Sequence, residues 1–263
     1  MKLDGRTALV TGATGGLGNA IARALAARGA KLILTGRRSD VLEPLARELG
    51  ARALAVDLAD RGALSRLTED TRDVDVLVAN AALPASGRIT DCATEDVDRI
   101  LDVNLRAPIL LARALAERMI ARRSGHLVFI NSLSGKFGAP RSSLYSATKF
   151  GLRGFAQSLR ADLHGSGVGV STVFPGFIRD AGMFAESGAT LPRGVGTRAP
   201  EHVGAAVVRA IEHDLDEVDV APFGLRVGTT IGSLVPGFAN AVARWAGAEK
   251  VAEDVARGQR GKI

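Results

Sequence analysis

The chain has 263 residues, 46% of them hydrophobic and 24% charged, with a formal net charge of +6. That length and that hydrophobic share suit one large α/β domain with a full core and exclude a disordered chain. The one cysteine, Cys92, cannot close an internal disulfide, which fits a reducing compartment, and no apolar run reaches the ~18 residues that a membrane span needs.

Met1 to Arg6 leads directly into a strand-like run with no signal-peptide core, so a cytoplasmic location is expected. Thr7 to Thr11 reads as the first strand, followed by a glycine cluster and a helix over Asn19 to Arg28. Lys31 to Thr35 is the next strand, then a helix over Val41 to Leu49. Strands over Arg52 to Val56 and Val74 to Ala79 flank a short helix near Leu64. Two long helices, about Glu95 to Arg122 and Ser143 to His164, enclose a strand over His126 to Asn131. Val168 to Phe174 is a sixth strand, and a helix over Pro200 to His213 leads to a seventh over Val218 to Ala221. Strands that are apolar almost throughout are buried on both faces, and their alternation with helices predicts a Rossmann-type doubly wound sheet of about seven parallel strands. No linker or repeat divides residues 1–263, so a single domain is expected. Its ligands belong beyond the carboxyl ends of the strands.

The basic residues are scattered and have acidic neighbours, as in Arg113, Glu117, Arg118, and no run of four Lys/Arg occurs. With aromatic residues at only 4%, no stacking platform for nucleic acid is available. His126, His164, His202 and His213 lack paired ligand spacing, so no metal site is expected.

Thr11-Gly12-Ala13-Thr14-Gly15-Gly16-Leu17-Gly18 follows the first strand and opens a helix. Glycines there let backbone approach a pyrophosphate at a helix N-terminus. The second strand ends in Thr35-Gly36-Arg37-Arg38, with glycine where a ribose-binding acid would stand and a guanidinium directly after. A planar guanidinium suits a 2′-phosphate, so NADP(H) is favoured over NAD(H). The chain's one tyrosine, Tyr145, precedes Lys149 by one helical turn and follows Ser132 by thirteen residues. That spacing puts phenol and ammonium on one helix face, where the cation is expected to lower the phenol's pKa for acid/base work.

These pieces, with Asp57-Leu58, Asn80-Ala81-Ala82, Asn104 and Pro175-Gly176, resemble the classical short-chain dehydrogenase/reductase family over residues 1 to about 180. The resemblance implies an oxidoreductase interconverting a ketone and a secondary alcohol. It assigns Tyr145 as acid/base, Lys149 as its partner and a ligand of the nicotinamide ribose, and Asn104 as holder of a water chain back to the lysine. Ser132 then holds the developing oxyanion. Asp57 and Leu58 are implied at the adenine, Asn80 and Ala81 beside the cofactor, and Pro175, Gly176 and Ile178 at the nicotinamide end. Asp180 stands where the family often has threonine, with Arg179 placed to neutralise it. A non-catalytic NADP(H) sensor on the same fold is the second reading; such proteins usually lose the tyrosine or the lysine.

Residues 177–200, with Met183, Phe184 and Leu191 among glycines, read as a substrate lid. Residues 224–263 read as a helical tail in which Ile231, Leu234, Val235, Phe238, Val242 and Trp245 form one apolar stripe, with Pro236 starting or kinking it. The stripe packs on the core, on a second subunit of a homo-oligomer, or on a membrane surface; a lipophilic substrate suits any of the three.

Overall fold

The computed structural model describes residues 1–192, 195–235, 237, 248–259 and 261. Seven strands form one parallel sheet: β1 (Thr7–Val10), β2 (Lys31–Gly36), β3 (Arg52–Ala55), β4 (Val76–Ala79), β5 (Gly125–Ile130), β6 (Val168–Pro175) and β7 (Glu217–Val220), in the order β3-β2-β1-β4-β5-β6-β7. The order reverses between β1 and β4, which opens a crevice at their carboxyl ends.

Alternate residues of each strand feed the two core layers. Ala8 and Val10 pack with Ile21 and Leu25 of α1 (Gly16–Ala26), Leu42 of α2 (Ser39–Glu48), and Val207 and Ile211 of α8 (Pro200–His213). Leu9, Leu77 and Phe129 point to the opposite face. There they meet Leu64 of α3 (Arg61–Asp70), Leu111 and Leu115 of α5 (Ala107–Ala121), and Leu152 of α6 (Ser143–Asp162). Helices α1 and α8 cross closely because Gly204 has no side chain; a Cβ there would lie 2.7 Å from the Ala20 carbonyl oxygen.

The single helix expected over Glu95 to Arg122 is three pieces: α4 (Thr94–Leu101), a π-helical turn over Asp102–Arg106, and α5. Asn104 is buried in that turn, with its side-chain amide on the Leu83 backbone. Three further helices complete the described residues: α7 (Gly182–Ala185), α9 (Phe223–Leu234) and α10 (Ala248–Gly258). Phe238, Val242, Trp245 and Pro236 of the expected stripe lie outside the described residues.

His126 and Ser171, at the amino ends of β5 and β6, form a buried hydrogen bond of 2.8 Å. Burial pushes His126 down to about 4, against the pull of Asp214 and with help from the amino terminus and Arg160. A histidine held neutral in the fold but free to protonate when unfolded destabilises the fold as pH falls from 6.5 towards 4. The loss is on the order of 3 kcal/mol by the lower limit. We therefore expect the melting temperature to fall between pH 7 and 4.5, and H126Q to flatten that slope; an unchanged slope in H126Q would assign the acid sensitivity elsewhere.

Candidate active site

The glycine turn is positioned by the neighbouring strand. The Thr11 hydroxyl accepts from the backbone N–H of Asn80 and of Ala81, each at 3.0 Å, and the Asn80 amide donates to the carbonyls of Thr11 and Gly12 at 2.9 and 3.2 Å. Gly12 adopts φ +65°, and a Cβ on it would sit 2.8 Å from Ala81 Cα. Asn80 and Ala81 thus shape the turn, and the Asn80 amide is spent on it.

Helix α1 then begins at Gly16 with no side-chain cap and no acid in its first turn. The N–H groups of Gly16, Leu17 and Gly18 lead an α-helix and have no carbonyl four residues back within it, which makes this end a natural anion site. A Cβ at Gly16 would lie 2.3 Å from Ala181 Cβ, so the segment after β6 closes over the turn. Beside it lies an open cleft of about 610 Å³ lined by Gly16, Arg179, Asp180, Ala181, Gly182 and Phe184. The backbone cradle and its free donors fit a dinucleotide pyrophosphate. Asp180 is held at φ +66°, a left-handed conformation that favours glycine, and pairs with Arg179 at 3.2 Å as expected from the sequence.

At the end of β2, Arg37 and Arg38 are both exposed. Gly36 lies under Thr14: a Cβ there would meet Thr14 Cγ2 at 2.8 Å. Asp57 accepts from the Ala59 N–H at 3.0 Å and from Arg99 at 2.8 Å. Burial opposes its ionisation, but those hydrogen bonds and the charges of Arg99 and Arg37 outweigh it and hold the carboxyl below its usual value. Leu58 is buried in the core, so only its backbone is available to a ligand.

Across the crevice, Ser132, Tyr145 and Lys149 converge. Ser132 follows β5; its N–H donates to Asn131 Oδ1 at 2.8 Å and its hydroxyl oxygen accepts from the Ser134 N–H at 3.1 Å. Those bonds fix the serine, whose hydroxyl also hydrogen-bonds with the Tyr145 side chain. Asn131 is buried, and its Nδ2 donates to the Lys149 carbonyl at 3.0 Å, so one amide ties Ser132 to α6. Sequence reasoning passed over Asn131, although it is a polar residue closing an apolar strand beside a serine of interest.

The expected lowering of the Tyr145 pKa by Lys149 is not what the structure shows. Lys149 Nζ is buried, donates to the Ile130 carbonyl at 3.0 Å and stands 5.6 Å from the Tyr145 ring centre. Burial pushes Lys149 down to about 8. Burial likewise pushes Tyr145 up to about 12, although the adjacent Ser132 hydroxyl pulls the other way. Residue Tyr145 as a whole is half-buried.

The side chain of Asn104 is held by Leu83: Oδ1 accepts from the Leu83 N–H at 2.6 Å and Nδ2 donates to the Leu83 carbonyl at 2.9 Å. Beyond β6, Gly176 donates to the Val220 carbonyl at 3.1 Å, and Ile178 forms a parallel bridge with Arg198 that pins the base of residues 177–200. Glu253 of the C-terminal helix α10 pairs with Arg141, which precedes α6, and the Gln259 amide just beyond α10 donates to the Met183 carbonyl at 3.3 Å. This last part of the tail therefore packs on the chain's own lid segment.

Fold and site together define a Rossmann-type nucleotide-binding protein with a serine, a phenol and an amine gathered at the carboxyl edge of its sheet. The model of the short chain dehydrogenase family matches residues 6–192, and the chain belongs to that family, as an oxidoreductase acting on CH–OH and C=O groups. The ketoacyl reductase HetN of Nostoc sp. is 34% identical over 259 residues, covering 93% of this chain and 90% of that one. A solved putative betaketoacyl-ACP reductase has a TM-score of 0.77 at 32% identity, covering 85% of this chain and 99% of its own. A short-chain dehydrogenase from Sphingobium yanoikuyae in complex with NADPH has a TM-score of 0.75 at 25% identity, over 94% of each chain.

Proposed function

We propose that the protein is an NADP(H)-dependent oxidoreductase that reduces a ketone, or oxidises the matching secondary alcohol, on a hydrophobic substrate. The observation that carries this reading is the convergence of Ser132, Tyr145 and Lys149 across the crevice from an uncapped glycine turn. The nicotinamide, when bound, supplies or accepts the hydride.

The chain's own residues do the rest. Gly16, Leu17 and Gly18 offer backbone N–H groups to the pyrophosphate, and Pro175, Gly176 and Ile178 shape the wall at the nicotinamide end. The Ser132 O–H, turning from Tyr145, donates to the substrate oxygen as negative charge grows there. Tyr145 gives that oxygen its proton; a phenol with a pKa of about 12 is protonated at neutral pH, which suits the reductive direction. Lys149, charged below about 8, stabilises the tyrosinate that remains. At Asn104 the side chain holds Leu83, so its part in returning a proton falls to the backbone: a π turn leaves carbonyls out of the ordinary helical ladder, and these can bind water leading to Lys149.

NADP(H) preference rests on Arg37 and Arg38, exposed at the end of β2, and on Gly36, where Thr14 occupies the space that a side chain would need. The complex of the Sphingobium relative with NADPH supports it. Replacing Arg37 and Arg38 with serine should raise the Kd for NADPH by about tenfold to a hundredfold, the scale of one or two charge-assisted hydrogen bonds, and leave that for NADH nearly unchanged. Equal weakening of both cofactors in fluorescence titrations would refute the assignment. The hydrophobic-substrate reading is supported by Phe177 and Phe184, whose rings meet at 4.9 Å with a 58° tilt in the lid, and by the ketoacyl reductase relative. NADPH oxidation with long-chain ketones, steroids and sugars tests it: turnover confined to sugars, or none with cofactor bound, would overturn it.

A further inference from the structure

A knot of charged side chains meets beside the buried Phe174 ring, and the proposed chemistry uses none of them. Glu217 and Asp219 alternate along β7 and so share one face of the sheet, and Phe174 of β6 is the register partner of Asp219. The Lys136 ammonium lies 2.7 Å from Asp219 Oδ1, 3.0 Å from Glu217 Oε2 and 4.0 Å from the centre of the Phe174 ring. Arg153 donates to both oxygens of Glu217, from Nε at 2.7 Å and from Nη2 at 3.1 Å, and the Gln157 amide donates to the same carboxylate at 3.1 Å. Arg226 stands 4.0 Å from Asp219 Oδ2. Burial alone would raise the Glu217 carboxyl, but its hydrogen bonds to Arg153 and Lys136 and their charges outweigh it and hold the group below the usual carboxylate range.

Both cations reach Glu217 from pieces of the site. Lys136 closes the 3₁₀ turn Leu133–Gly135, which Ser132 opens as its N-cap. Tyr145, Lys149, Arg153 and Gln157 follow one another at four-residue intervals and form one row along α6. The first half of that row carries the phenol and the amine; the second half is fastened to Glu217. The turn that carries Ser132 is fastened to the same carboxylate through Lys136.

The covalent chain does not fix how the turn sits against the helix, because residues 137–142 between them are irregular. Asn131 joins the two from one side, through the Ser132 N–H and the Lys149 carbonyl. Glu217 joins them from the other, with a two-point guanidinium contact that sets direction as well as distance. The rate is sensitive to this placement: one substrate oxygen must meet Ser132 and Tyr145 together, and a misplacement of about 1 Å can cost on the order of a hundredfold.

We propose that Glu217 is a positioning residue for the reaction: by holding Lys136 and Arg153 together, it sets the Ser132 hydroxyl against the Tyr145 phenol. The proposal rests on the catalytic reading of those two hydroxyls. The test is steady-state NADPH oxidation by the full chain, with the ketone of the panel above that is turned over fastest. E217Q keeps the shape of the side chain and removes its charge, while Lys136 keeps Asp219. Its kcat should fall by about tenfold to a hundredfold, with the KM for NADPH unchanged. In an S132A background the same substitution should cost little further kcat, because no hydroxyl is left to place. K136M keeps a chain of similar length over Phe174 and leaves Glu217 to Arg153. It reads the same contact in case E217Q is too unstable to assay, and should show the same loss and the same dependence on Ser132. An unchanged kcat in these variants, or a loss as large in S132A as in the wild type, would overturn the proposal and leave the catalytic reading standing. Full turnover by S132A would overturn both.

Discussion

Replacing Tyr145 with phenylalanine should lower ketone reduction by about a hundredfold to ten-thousandfold, the usual contribution of a positioned general acid. The substitution removes one oxygen from a half-buried ring that packs against the core layer of Leu9 and Phe129, and the partner it deprives, the Ser132 hydroxyl, is itself only half-buried. Fold stability and NADPH affinity should therefore stay close to those of the wild type. Steady-state kinetics beside a cofactor titration check both halves. Retained turnover would remove Tyr145 from the chemistry, whereas lost cofactor binding would make it a structural residue of the cradle.

The second large effect concerns Lys149. Its amine is buried with one carbonyl as hydrogen-bond partner, and burial lowers its pKa from 10.5 to about 8. A lysine with a depressed pKa costs the fold stability wherever the group is charged; the cost is full below about pH 8 and disappears as pH rises through 10.5. K149M removes that cost and should stabilise the protein at pH 7 by roughly 1–3 kcal/mol while abolishing turnover. The gain over wild type should shrink as pH is raised from 8 towards 10.5. Denaturant unfolding of both proteins at pH 7 and pH 10 measures this. A destabilised K149M would show that the bond to the Ile130 carbonyl outweighs the burial of charge.

The regular parts of this molecule were legible because their signals are local. Pro200 opens α8 and His213 closes it in both sequence and structure, since proline fits the first helical turn and the left-handed Asp214 ends it. All seven strands are where their β-branched and aliphatic runs put them, and Ser132, Tyr145 and Lys149 meet as their spacing requires. What was missed depends on depth and on distant partners. The i, i+4 spacing puts Lys149 and Tyr145 on one face but says nothing of how far both lie from water, and that depth raises the Tyr145 pKa against the expected direction and lowers that of Lys149. Asp102-Val103-Asn104-Leu105-Arg106 contains no glycine or proline to mark its π turn, and the partner of Asn104 in it, Leu83, lies 21 residues earlier. Ile231, Leu234 and Val235 share a helical stripe in the sequence, but which way it faces depends on Leu225 and its contact at Gly176.

The central claim is that Tyr145 and Ser132 jointly hold the oxygen that is protonated. A crystal structure of the ternary complex with NADP⁺ and a secondary alcohol tests it most directly. The account predicts the alcohol oxygen within about 2.6–3.2 Å of both Tyr145 Oη and Ser132 Oγ. An alcohol oxygen bound to other groups, with both hydroxyls turned to protein partners, would contradict it.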